Sequence, residues 1–264
     1  SAERQAIARQ LIDFDREFAR MFSAKPLESG SIGGEGIDPQ EFQSTFVKAG
    51  RFTAGTATQY QRSLICAEPT YQPLATGFPI GMRFHSAPVI RLADAKPVQL
   101  GHAGGADGAW RIYVFGDSRH PLNSASRFRA LCRFLDGDRS PVRRFTPAGE
   151  DIDSVIDIRA IFQQGHRDLA VERMPRILLP TKGRLALVDY EKMFCPDLKA
   201  GTDIFAMRGI DRWQGCIVVV RPDQYVAHVL PLDAFDALDA FFAAFMLDAR
   251  ASSRQKSAPA GELR

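Results

Sequence analysis

Apolar side chains recur at three- or four-residue intervals from Ile7 through Leu11, Phe14, Phe18 and Phe22, which predicts an amphipathic helix over residues 3–22. The next stretch, PLESGSIGGEGIDPQ (26–40), is rich in Gly, Ser and Pro and reads as a loop. It ends in Asp38-Pro39, a capping residue and a helix-starting proline, so a second helix is expected over about 39–49. Residues 51–82 hold no sustained period and predict an irregular connection across a surface or between domains.

From residue 88 the pattern turns to strands. PVIRLADAKPVQLGH alternates loosely, and the Gly-rich turn GHAGGADGAW leads into the apolar strand WRIYVFG. In SASRFRALCRFLD (124–136), Phe128, Leu131, Cys132 and Leu135 share one helical face. A strand over about 153–163 (DSVIDIRAIFQ) then completes a βαβ unit. After a long insertion, CIVVVR (216–221) and YVAHVL (225–230) predict a hairpin across Pro222-Asp223-Gln224, and LDAFDALDAFFAAFML (232–247) predicts a strongly apolar helix capped by Asp233. Strand, helix, strand, insertion, hairpin, helix is the element order of a thioredoxin-like α/β fold. Residues 249–264, small and charged, are expected to be a disordered tail.

Composition narrows the function classes. The 34 basic and 31 acidic residues leave +3, too little for an electrostatic footprint on nucleic acid or an anionic membrane. Apolar runs such as CIVVV are far shorter than the roughly 20 residues a membrane span needs, and the N-terminal stretch lacks the apolar block of a secretory signal. A cytoplasmic protein without membrane or nucleic-acid partners is therefore expected. Ser1, where a natural start carries methionine, reads as a cut or boundary.

Candidate chemistry is sparse. Cys66, Cys132, Cys195 and Cys216 form no Cys-x-x-Cys, so neither a paired zinc knuckle nor a dithiol redox centre is expected, and a thiol oxidoreductase lacks its resolving partner. His85, His102, His120, His166 and His228 are scattered, with no pair at helical i, i+4 spacing, and no metal site is assigned. Gly34-Glu35-Gly36 and Gly101–Gly108 both lack the strand-turn-helix setting of a dinucleotide fingerprint. Asp151 and Asp153, ahead of a strand, have the chemistry of an acid/base pair, but the expectation is solvated turn residues. The arginines between 111 and 144 are the one local basic excess, expected on a polar helix face or at a subunit contact. RIYVFGDSRHP (111–121) stops at Gly116-Asp117, with His120 close behind, either a strand-ending turn or a cofactor contact.

Several stretches taken in order resemble the C-terminal portion of the FAD-dependent aromatic hydroxylases, the phenol 2-monooxygenase and 3-hydroxybenzoate 4-monooxygenase family. They are ERQAIARQLIDFDREFARMFS, FVKAGRFTAGTATQY, GMRFHSAPVIRL, Arg111 to Asp136, RRFTPAG, DSVIDIRAI and VVVRPDQYV, together nearly the whole chain. In that family a Gly-Asp pair contacts the ribityl chain of FAD ahead of the helix bearing Glu-Arg-Gln. Glu3-Arg4-Gln5 stands at the start here, so the resemblance puts the flavin motif and the catalytic residues upstream of residue 1. Gly116-Asp117 falls instead at the end of the first core strand of the thioredoxin-like domain and is expected to be a turn.

The resemblance implies a tail of the FAD and substrate region over 1–84, a thioredoxin-like domain over 85–248, and a parent enzyme that hydroxylates a phenolic substrate with FAD, NADPH and O2. This chain is then the subunit-contact part, inactive and without cofactor by itself, with the upstream domain and a second copy as partners. Phe52, Thr53 and Tyr60, which bracket the small residues of RFTAGTATQY, are candidates for a wall of the substrate path or a domain contact, the alternative being a tight turn. The rival reading of the whole chain is a free-standing thioredoxin-like dimerisation module without redox activity.

Overall fold

The structure, a computed structural model, describes residues 2–23, 39–199 and 201–249. In chain order its elements are α1 (Ala2–Ser23), α2 (Pro39–Thr53), β1 (Pro88–Arg91), β2 (Pro97–Gln99), β3 (Trp110–Phe115), α3 (Arg127–Asp136), α4 (Pro141–Phe145), β4 (Ile156–Ile161), β5 (Thr181–Lys182), β6 (Leu187–Val188), β7 (Met193–Pro196), α5 (Ile204–Met207), β8 (Cys216–Val220), β9 (Val226–Leu230) and α6 (Phe235–Ala243). The expected tail from 250 onward, the glycines 34 and 36, Asp38 and most of the predicted loop at 26–40 lie outside the described residues.

Every residue of β3 and β4 is buried. Strands of that kind need cover on both faces, and the fold supplies it. A seven-stranded sheet runs β2-β1-β7-β4-β3-β8-β9, with β3 parallel to β4 and antiparallel to β8, and β8 antiparallel to β9. The parallel β3-α3-β4 unit followed by the β8-β9 hairpin and α6 gives the central order β4-β3-β8-β9, which is the thioredoxin-like topology. β7, absent from the sequence-based expectation, extends this core parallel to β4, and β1 and β2 add antiparallel strands beyond it.

One face of the sheet carries the helices. Phe128, Leu131, Cys132 and Leu135 of α3 pack with Val142 and Phe145 of α4 and Leu238 and Phe242 of α6 over Ile112, Val114, Ile158 and Val219. Each fully buried Leu or Phe there contributes about 1.5–3 kcal/mol. α6 is shorter than the expected 232–247, and its start is set by Ala234 with no side-chain cap, so Asp233 does not cap it. Pro231 to Asp233 form a turn in which Phe235 N donates to the Asp233 carbonyl. The apolar excess of this helix is absorbed locally: Phe235 stacks on Phe134 at 4.8 Å, and Phe241 and Phe245 lie 6.0 and 5.0 Å from Trp110.

The opposite face is covered by the aperiodic stretch itself. Leu74, Phe78, Ile80 and Phe84 pack with Phe205 and Ile210 on Tyr113, Phe115 and Val218, and the rings of Phe78, Phe84 and Tyr113 stack at 4.6 and 4.4 Å. This stretch also closes the edge of β9: Ala67 N donates to Ala227 O, Gly81 N to Val226 O and Val226 N to Met82 O. Its backbone polar groups are satisfied by an edge strand, so no period of its own is needed. α2 runs to Thr53, four residues past the expected end, which makes Arg51, Phe52 and Thr53 helical instead of irregular.

Candidate interchain and interdomain contact site

Gly116-Asp117 ends β3, and its geometry answers the cofactor question. Asp117 is 2% exposed. Ser126 Oγ donates to its Oδ1 at 2.7 Å and Arg127 N donates to its Oδ2 at 3.1 Å, so this carboxylate, nine residues back, takes over the capping of α3 that the Ser126 side chain leaves undone. A carboxylate buried beneath the surface and bonded through both oxygens to a helix terminus serves as a cap, and the pair has the setting of a strand-ending turn and not of a ribityl contact. Asp117→Ala is expected to cost about 1–2 kcal/mol, the loss of a cap, read as a drop in the urea midpoint; an unchanged midpoint would mean that the terminus is satisfied otherwise.

The four cysteines are buried thiols. Burial pushes Cys66 up to about 11 and Cys195 up to about 12, the opposite of a nucleophile's environment. His228 is likewise pushed down, to about 4, by burial, with its ring 5.3 Å from that of Phe241.

Charged groups concentrate where β3 and β4 begin. Lys192, 3% exposed at its side chain, places Nζ 2.5 Å from Asp153, 2.6 Å from Asp157 and 3.4 Å from Asp189. Arg159 pairs with Asp157 at 2.8 Å, Arg111 reaches Asp107 at 2.8 Å and Asp157 at 3.6 Å, and Lys182 reaches Asp153 at 2.9 Å. Burial pushes the Asp153 carboxyl upward, but the two ammonium groups outweigh it and hold the carboxyl below its ordinary value. Asp153 is thus a buried ion-pair partner, not the solvated turn residue expected; Asp151 accepts a hydrogen bond from Gly183 N at 2.9 Å. Three of the eight arginines of the local excess are consumed in the same way. Arg111 is buried, Arg143 pairs with Asp136 at 2.6 Å, and Arg144 pairs with Asp239 at 2.7 Å, joining α4 to α6.

A second junction ties α1 to the sheet. Arg221, 6% exposed, lies over the Tyr60 ring at 4.8 Å and the Tyr225 ring at 5.9 Å. It donates to Asp223 at 2.7 Å and, through its other terminal nitrogen, to Glu3 Oε1 at 3.1 Å; Ser63 Oγ donates to the same Glu3 oxygen at 2.7 Å. Tyr60 is therefore part of the seat of α1, with its N–H on Gly81 O. Thr53 instead spends its hydroxyl on Ala49 O at the end of α2, and the Phe52 side chain lies outside the described residues. A cleft of about 230 Å³ lined by Glu3, Ile7, Gln10, Tyr60 and Ser63 runs along this seat. Sequence reading missed Arg221, whose only signal was a cation next to the Pro-Asp-Gln turn.

Among the described residues no helix is long and apolar enough to cross a membrane, and no group of three His, Cys, Asp or Glu side chains is placed to hold a metal ion.

Comparison with known proteins fits this picture. The chain is 58% identical over 248 residues to a 3-hydroxybenzoate 4-monooxygenase of Comamonas testosteroni, covering 93% of this chain and 38% of that protein. It is 33% identical over 252 residues to an FAD-dependent monooxygenase of Aspergillus terreus, covering 92% and 40%. The chain thus spans about two fifths of the length of the curated relatives it matches. Among solved structures, the thioredoxin domain of a thiol-disulfide oxidoreductase from Bacteroides vulgatus aligns over 63% of this chain and 97% of its own, with 12% identity and a TM-score of 0.36. Residues 58–250 match the family described as the phenol hydroxylase C-terminal dimerisation domain, and on that match the chain belongs to this family.

Proposed function

We propose that this chain is the C-terminal part of a cytoplasmic FAD-dependent monooxygenase that hydroxylates a phenolic substrate, of the phenol or 3-hydroxybenzoate type, with NADPH and O2. Its own share is the thioredoxin-like contact domain of a homodimer, and the chemistry resides upstream. The observation that carries this reading is the 58% identity over nearly the whole chain to a hydroxylase more than twice as long. In this reading residues 1–84 continue the catalytic region and 85–248 form the thioredoxin-like domain, with the stretch after 58 packed down on it. Leu11 and Ile12 of α1 and Phe46 and Val47 of α2 are exposed, an apolar surface fitted to a neighbouring domain. The end of β3, where a redox thioredoxin needs a reactive thiol, is occupied by a helix-capping carboxylate.

The test compares the 264-residue chain with the longer polypeptide from its source. The chain alone is expected to be colourless and to leave NADPH unoxidised in the presence of 3-hydroxybenzoate or phenol, whereas the longer protein carries flavin absorbance and turns over. Tight FAD binding and NADPH oxidation by the short chain would overturn the division of labour, and a source polypeptide of 29.2 kDa would favour a free-standing dimerisation module.

A further inference from the structure

Between β4 and β7 the chain leaves the sheet to build β5 and β6, a two-stranded hairpin paired Thr181 with Val188 and Lys182 with Leu187 and belonging to no other sheet. An isolated hairpin of this size is marginal in water. Here it is braced from below: Lys182 Nζ lies 2.9 Å from Asp153, Gly183 N donates to Asp151 at 2.9 Å, and Asp189 N donates to Pro180 O at 2.8 Å. What the brace holds out is apolar. Leu185 is 81% exposed, Leu187 66%, Tyr190 47% and Val188 39%. Four large apolar side chains in a run of six residues on a fixed arm form a patch that a soluble surface does not keep bare without a partner.

The partner is indicated by charge. Arg184, exposed beside Leu185, has no ion-pair partner among the described residues. Beside the arm's base lies a cleft of about 370 Å³ lined by Arg143, Thr146, Pro147, Glu150, Ile152 and Thr181. On its wall Glu150 is exposed and likewise has no ion-pair partner there. One surface thus carries an apolar arm with an unused cation and, next to it, a cleft with an unused anion. Two copies related by a two-fold axis satisfy both at once, since an isologous contact pairs residue i with j and j with i.

We propose that the β5–β6 hairpin is the arm by which two copies of this chain dock, Leu185 seating in the partner's cleft with Arg184 paired to the partner's Glu150. The proposal rests on the reading of this chain as a dimerisation domain, and places that contact on one surface. Sedimentation equilibrium of the 264-residue chain tests it, alongside Leu185→Asp, the single reversals Arg184→Glu and Glu150→Arg, and the two reversals combined. Circular dichroism checks each fold; the three positions are exposed, so the fold is expected to survive.

The expected result is a dimer whose dissociation constant rises about 30-fold or more with Leu185→Asp, the loss of an interface hot spot. Each single reversal weakens the dimer and the combination restores it. A dimer untouched by Leu185→Asp would overturn the arm as the contact while leaving the dimerisation reading in place. A chain that stays monomeric at every concentration would overturn both. Loss with Leu185→Asp but no response to the charge reversals would keep the arm and reject the Arg184–Glu150 pairing.

Discussion

Replacing Lys192 by methionine is expected to cost about 3–5 kcal/mol, the usual penalty for stripping the partner from buried charges. Out of a total stability of about 5–15 kcal/mol this is enough to bring the domain near its unfolding midpoint. The reason is local: Asp153 and Asp157 both sit within 2.6 Å of the Lys192 ammonium and are themselves buried, so its removal leaves carboxylates that neither water nor the remaining cations can fully compensate. Urea unfolding at neutral pH gives the number. Adding Asp157→Asn to the lysine variant should recover part of the loss, because the two positions share one network. A loss below about 1 kcal/mol, typical of an exposed pair, would show that the cluster is wet.

The same cluster sets an acid limit. Asp153 is held below its unfolded value of about 3.9, so its contribution is fully present above that pH and disappears as pH falls through the folded value. In the lysine variant only Lys182 opposes the burial of Asp153, its carboxyl moves up, and this part of the acid dependence flattens.

Gly215→Ala is the second substitution with a large expected cost, about 3 kcal/mol or more. Gly215 has φ +65°, and a Cβ there would meet the Phe115 carbonyl oxygen, Asp117 N at 2.8 Å and Gly116 C at 2.9 Å, all of them backbone. The methyl therefore collides with the last residues of β3 just where β8 pairs with it at Phe115 and Cys216. Gly108, also at positive φ (+80°) but with open space around it, is the control; its alanine variant should lose only the left-handed backbone strain, about 1–2 kcal/mol. Comparing the two unfolding midpoints separates collision from strain. Equal losses would mean that the end of β3 yields to the added methyl.

Local pattern was enough for some elements and not for others, and the division follows the range of the interactions. α3 was readable because all four of its buried positions, Phe128, Leu131, Cys132 and Leu135, repeat at helical spacing within the segment itself. The β8–β9 hairpin was readable because apolar runs flank a turn. β7 was missed because Met193–Pro196 is four residues of mixed character that become a strand only by pairing with β4 and β1. Asp153 was misplaced for the same reason: Lys192, its partner, is 39 residues away, and nothing near Asp153 announces it. Residues 60–84 carry no period because their order comes from the edge of β9 and from rings stacked on β3. The capping role of Asp117 was hidden by position, since a cap is sought at the residue next to the helix and this one stands ten residues before Arg127.

The seat of α1 has a consequence for how the chain is made. Glu3 and Arg221 are 218 residues apart, and the tyrosines that flank Arg221 come from Tyr60 and from the turn ahead of β9. During synthesis α1 emerges ahead of the sheet yet has no seat until the β8–β9 hairpin has formed. Closing so long a loop carries an entropic cost that local contacts cannot offset in advance. α1 is thus among the last of these elements to be secured on the sheet, and until the hairpin has formed its apolar stripe needs cover from some other source.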